Sequence, residues 1–114
     1  MTSHGAQAEL LAAQYLQLQG LKLIAQNYRS RFGEIDLIMQ EGTTVVFIEV
    51  RLRRNAGFGG AAASIDARKQ KRIISTAQQY LAGLVRIPPC RFDAVLLDDA
   101  QGDNMQWLKN AFDA

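Results

Sequence analysis

Asp36, Glu49 and Arg51 interrupt two strongly strand-forming apolar runs, GEIDLI at 33–38 and VVFIEVRLRR at 45–54. Ionised groups are costly to bury unless they are paired or bind something. A strand projects residues i and i+2 from one face, so Glu49 and Arg51 point the same way. In the first run Ile35, Leu37 and Met39 share one face, and Glu34, Asp36 and Ile38 the other. In the second, Val46, Ile48, Val50 and Leu52 oppose Phe47, Glu49, Arg51 and Arg53. With both apolar sets on one core layer, Asp36 and Glu49 emerge side by side, their Cβ atoms about 4.5–5.5 Å apart. Two carboxylates that close repel unless a proton or a cation lies between them. His4 and Cys90 are the only histidine and cysteine, so an all-oxygen site for Mg²⁺ or Mn²⁺ is the chemistry this pattern allows. Such a cation polarises a phosphate or lowers the pKa of a bound water. The same spacing also suits a plain salt-bridge network with Arg29, Arg51 or Arg53, because acid–base ladders are common on sheet faces.

These groups need a scaffold, and the pattern supplies one. Ala8, Leu11, Ala12, Tyr15 and Leu18 recur at helical spacing over 5–19, with Gly20 at the stop. Strands follow at 21–29, 34–40 and about 43–53, joined by SRFG and EG turns into an antiparallel meander. The segment NAGFGGAAAS has no periodicity and reads as a mobile loop over 55–63. Ser64 or Asp66 can cap a second helix running to about Leu84, with Ile73, Ile74, Ala77, Tyr80 and Leu81 facing inward. A strand at 90–98 and an edge strand near MQWLKNAF complete an α/β chain with a mixed sheet. The long helix is the crossover that lets the 90–98 strand run parallel to the meander. No repeat or second domain interrupts residues 1–114, so one domain is expected.

Composition narrows the function classes. No apolar run reaches the roughly 20 residues of a membrane span. The opening MTSHGAQAEL carries no export pattern, so a cytoplasmic protein is expected. One cysteine excludes a disulfide framework. Net charge is only +2, but residues 29–72 hold nine basic and five acidic side chains, a local excess of +4. Arg53, Arg54, Lys69, Lys71 and Arg72 belong to that segment and are the candidates for contact with nucleic-acid phosphates.

Taken together, GAQAE, QNYRSRFGEID, VVFIEVRLR, DARKQKRIISTAQQYL and CRFDAV resemble the YraN-like family of uncharacterised bacterial proteins, from Gly5 to about Val95. That family is similar to the PD-(D/E)xK nucleases, in particular archaeal-type Holliday junction resolvases. The resemblance implies a restriction-endonuclease-like αβββαβ core, with Asp36 as the motif aspartate and Glu49 as the second metal-binding acid. It implies that Glu9 is the acid the first helix adds to the metal site. Ile35 stands where the motif name has proline, a position that varies. Arg51 stands where the motif has lysine. Arginine stays charged and cannot act as a base, but it can stabilise charge developing on phosphate oxygens. Lys69 and Lys71 are the lysines placed to supply a relocated ammonium.

Three functions therefore compete. One is an Mg²⁺- or Mn²⁺-dependent endonuclease acting on DNA, including branched DNA, through Asp36, Glu49 and Arg51 with Glu9. Another is a nucleic-acid-binding module that lost hydrolysis with the change at Arg51. The third is a scaffold whose acids are structural. Resolvases of this type work as dimers because a junction presents two symmetric cuts, so the resemblance admits a homodimer, although no segment marks its interface.

Overall fold

The computed structural model describes residues 4–52, 65–98 and 104–114. Helix α1 (His4–Leu18) leads into strands β1 (Lys22–Ser30), β2 (Gly33–Glu41) and β3 (Thr44–Leu52). Helix α2 (Ala67–Ala82) then precedes β4 (Cys90–Leu97) and β5 (Gln106–Phe112). The strands lie in the order β1-β2-β3-β4-β5, with β3 and β4 parallel and every other pair antiparallel. A parallel neighbour needs a crossover, and α2 lies in the one joining β3 to β4. This is a mixed α/β sheet with the expected αβββαβ order, extended by the edge strand β5. The 55–63 segment, Arg53 and Arg54 lie outside the described residues. No helix among the described residues is long and apolar enough to cross a membrane.

The helix ends follow their local chemistry. Gly20, at φ +100°, takes the left-handed turn after α1, and Leu21 N–H closes it on Leu16 O at 3.0 Å. Asp66 caps α2 by accepting Lys69 N–H at 2.8 Å, which fixes the first turn from which Lys69 projects.

Each face of the sheet has its own core. Ala8, Ala12, Ala13 and Leu16 of α1 pack on Leu37, Met39, Val46, Ile48, Val95 and Leu97. The alanines let the helix approach closely. Ile73 and Ala77 of α2 pack on Ile35, Ile38, Phe47, Ala94 and Leu96, beside a run of aromatic contacts from Tyr28 through Tyr80, Phe47 and Phe92 to Phe112. Burial on both faces explains why β3 and β4 read as nearly continuous apolar runs.

Two expectations are corrected. Leu18 is 86% exposed, and Leu16 is fully buried in its place. The buried line is 8-12-16, four residues apart, whereas Leu18 is the last helical residue and has turned off it. Ile35 packs with the α2-side core, not with Leu37 and Met39. Pairing between β2 and β3 ends at Leu37 and Ile48, so nothing on that side enforces alternation beyond this point.

Candidate active site

Where the β2–β3 ladder stops, the side chain of Asp36 replaces the backbone. Asp36 Oδ2 accepts Val50 N–H at 2.8 Å, so the carboxylate is fixed between the parting strands. One residue earlier on β3, Glu49 turns to the α2 side with Phe47, as strand parity requires. Both acids are buried, at 7% and 5% exposure.

The two helices reach this point from opposite faces of the sheet. From α1, the Glu9 carboxyl comes close enough to Asp36 and to the Asn27 side chain for both to shift its titration. From α2, Lys69 Nζ lies 3.1 Å from Glu49 Oε1. Arg51 Nε is 4.0 Å from the same oxygen, buried and without a hydrogen-bond partner. Glu49 Oε2 is likewise buried with no donor against it. Glu9, Asp36, Glu49, Arg51, Lys69 and Arg72 line one cleft of about 570 Å³, together with Gly33 and Glu34.

The electrostatics of the cleft are those of acids short of positive charge. Burial pushes the Glu49 carboxyl up to about 7, and the Asp36 carboxylate pushes the same way against the pull of Lys69. Burial also raises Asp36, opposed by the Val50 N–H. Glu9 rises to about 7, first through burial and then through Asp36, with Glu34 adding to the same effect. For all three acids burial is the largest cause, and Lys69 opposes it at Asp36 and Glu49.

This arrangement fixes a pH dependence. Between the ordinary value of 4.5 and about 7, folded Glu9 and Glu49 keep protons that the unfolded chain has released. Their contribution to stability is complete below pH 4.5 and is lost as pH rises through about 7. In EDTA, the melting temperature should therefore fall between pH 5 and pH 8, and Glu49→Gln should flatten the fall. Thermal melts across that range check it; a melting temperature that climbs toward pH 8 would contradict the buried acid cluster.

Of the residues singled out in the sequence, the structure brings together Glu9, Asp36, Glu49, Arg51, Lys69 and Arg72. Lys69 is part of the cleft lining and contacts Glu49. Lys71 is exposed on α2 and outside the cleft lining. Sequence reasoning missed Asn27, which sits at φ 52° in β1 and reaches Glu9. An asparagine inside a strand is disfavoured, and that was the available signal.

The model of "Uncharacterised protein family UPF0102" matches residues 8–97. A UPF0102 protein of Nitrosomonas europaea is 58% identical over 109 residues, covering 96% of this chain and 92% of the relative. One from Methylobacillus flagellatus is 53% identical over 114 residues, the whole of both chains. A third, from Psychromonas ingrahamii, is 54% identical over 110 residues, or 96% of this chain and 89% of its own.

Proposed function

The chain belongs to the UPF0102 family, and we propose that it is a divalent-metal-dependent nuclease that hydrolyses phosphodiester bonds in DNA. The observation that carries this reading is the buried Asp36–Glu49 pair with the Lys69 ammonium 3.1 Å from Glu49 in an open cleft. A structural salt bridge needs no cleft, and a scaffold gains nothing from two carboxyl groups held short of charge.

A divalent cation fits these residues. Among the described residues no three acid, histidine or cysteine side chains are close enough as they stand to hold a metal ion. Glu49 Oε2 nevertheless has no donor, and burial together with the Asp36 carboxylate raises Glu9 and Glu49 to about 7, an effect a bound cation would oppose. Glu9, Asp36 and Glu49 would hold Mg²⁺ or Mn²⁺ through oxygen, the donor both prefer. The cation would supply Lewis-acid polarisation of the phosphate and an activated water.

The remaining work falls to the chain's own side chains. Val50 N–H orients Asp36, so the acid needs no rearrangement. Lys69 and Arg51 face the position where a phosphate would meet the acids, and both neutralise charge developing on its oxygens. Lysine can also give up or receive a proton, which arginine cannot. Lys69 thus restores to the cleft the residue type that position 51 lacks. This favours the catalytic reading over a binding module that has lost its chemistry. Arg72 on the cleft wall is placed to hold the DNA backbone.

The test is cleavage of linear, nicked and four-way DNA with Mn²⁺. Cleavage that stops on addition of EDTA is expected. Tight, metal-independent binding with no product would assign the binding-module function, and neither binding nor cleavage would leave only the scaffold.

A further inference from the structure

The turn between β1 and β2 carries an aromatic ring that the core does not use. Phe32 is 42% exposed and belongs to neither core cluster. Exposed large apolar side chains are unremarkable when they lie on a loose tip, but this tip is not loose. Phe32 N–H donates to Ser30 Oγ at 3.0 Å, and Ser30 Oγ lies 2.9 Å from Thr76 Oγ1 on α2. Thr76 in turn donates to Arg72 O at 2.8 Å. A chain of hydrogen bonds therefore ties the turn to the same helix that delivers Lys69.

The turn also adjoins the cleft. Gly33, the next residue, is part of the cleft lining, and a Cβ there would lie 3.5 Å from Arg72 Cβ. Three residues separate Phe32 from Asp36, four steps along the chain or a span of at most about 13 Å. The guanidinium of Arg31 lies over the Phe32 ring at 5.0 Å from its centroid. A cation over one face of an exposed ring, on a backbone tied to α2, is a pairing that can stack a base on the other face while meeting the adjoining phosphate.

We infer that Phe32, with Arg31 beside it, is a stacking platform for an unpaired base next to the cleft, so that the preferred substrate is DNA with a base out of the duplex stack. This rests on the nuclease reading above. It commits the site to branched, gapped or flapped DNA over continuous duplex, because a paired base offers no free face.

The experiment is fluorescence anisotropy in EDTA, which reads binding without turnover, for wild type, Phe32→Ala and Phe32→Trp. The probes are a gapped duplex with an unpaired base and a fully paired duplex of the same length. Phe32→Ala is expected to lose roughly 5- to 150-fold in affinity for the gapped probe. Its affinity for the paired probe should stay within about twofold, and Phe32→Trp should match or exceed wild type on both. An equal loss on both probes, or no loss on either, would overturn the platform while leaving the nuclease reading standing. Unchanged DNA affinity with a dimer-to-monomer shift would assign the ring to a protein interface and also overturn it. Absence of any DNA binding by wild type would overturn both readings together.

Discussion

Asp36→Asn is expected to abolish Mn²⁺-dependent cleavage while the protein stays folded. Asparagine keeps an oxygen to accept Val50 N–H, whereas Asp36→Ala would leave that donor buried and unmet at about 1–3 kcal/mol. The charge is lost, so Mn²⁺ binding by calorimetry should weaken in parallel with turnover. Lys69→Gln separates the ammonium from the ligands. It should keep metal binding, because the ligands are carboxylates, and lose on the order of 10²- to 10³-fold in rate, the usual cost of one electrostatic contact made in the transition state. Arg51→Lys should retain activity, because Lys69 already lies closer to Glu49 (3.1 Å against 4.0 Å for Arg51) and a lysine at 51 keeps the charge. Arg51→Ala should fall with Lys69→Gln. If Lys69→Gln cleaves at the wild-type rate while Arg51→Ala is inert, the relocated-lysine argument fails and the arginine alone performs that task.

The parts of this site that were legible in the sequence are those set by strand parity. Glu49 shares its face with Phe47 because period two is rigid within a paired strand, and the α2-side core bears this out. Parity failed at Ile35, just past the last β2–β3 pair, where a side chain takes over from the ladder. Asp36 is useful at this break because its carboxylate can both close the gap and face the cleft. Such a break is invisible in a string of apolar letters. Lys69 was legible in principle, since it lies four residues before Ile73 on the inward line that continues to Ala77 and Tyr80. A lysine at the start of a buried helical stripe projects into whatever the sheet presents there, and the sheet presents Glu49. The glutamine-asparagine pair at 26–27 gave a weaker sign, since Asn27 takes a left-handed conformation within β1 and its side chain acts on Glu9. Leu18 was misread because helical spacing alone does not say which turn is the last.

Asp93→Ala is expected to be among the most destabilising single changes in the protein. Asp93 was silent in the sequence, one acid in CRFDAV with no partner at a local spacing except Arg91. In the structure it is fully buried on β4 and its two oxygens are crowded with donors. Arg91 Nε reaches both at 3.1 and 3.2 Å, Trp107 Nε1 donates to Oδ2 at 2.9 Å, and Asn110 N–H donates to Oδ1 at 3.0 Å. The last contact explains a second irregularity. Asn110 takes φ 54° and the β4–β5 register shifts between Phe92 and Ala94, so Asp93 satisfies an N–H that the ladder has released. Arg91 carries the network on to Glu41 at 2.7 Å, joining β4 to the end of β2. Alanine would leave a mostly buried guanidinium, an indole N–H and a backbone N–H with no common acceptor. Breaking a buried ion pair from one side costs about 3–5 kcal/mol. That is a large fraction of the roughly 5–15 kcal/mol that holds a domain folded. Urea denaturation should show the unfolding free energy falling by that amount, with Trp107 fluorescence following the same transition. Asp93→Asn should lose less, since its carbonyl oxygen still accepts one donor. None of these residues lines the cleft, so folded Asp93→Asn should keep the Mn²⁺ affinity of wild type. An unfolding free energy within about 0.5 kcal/mol of wild type for Asp93→Ala would mean that β5 is held by its apolar face alone.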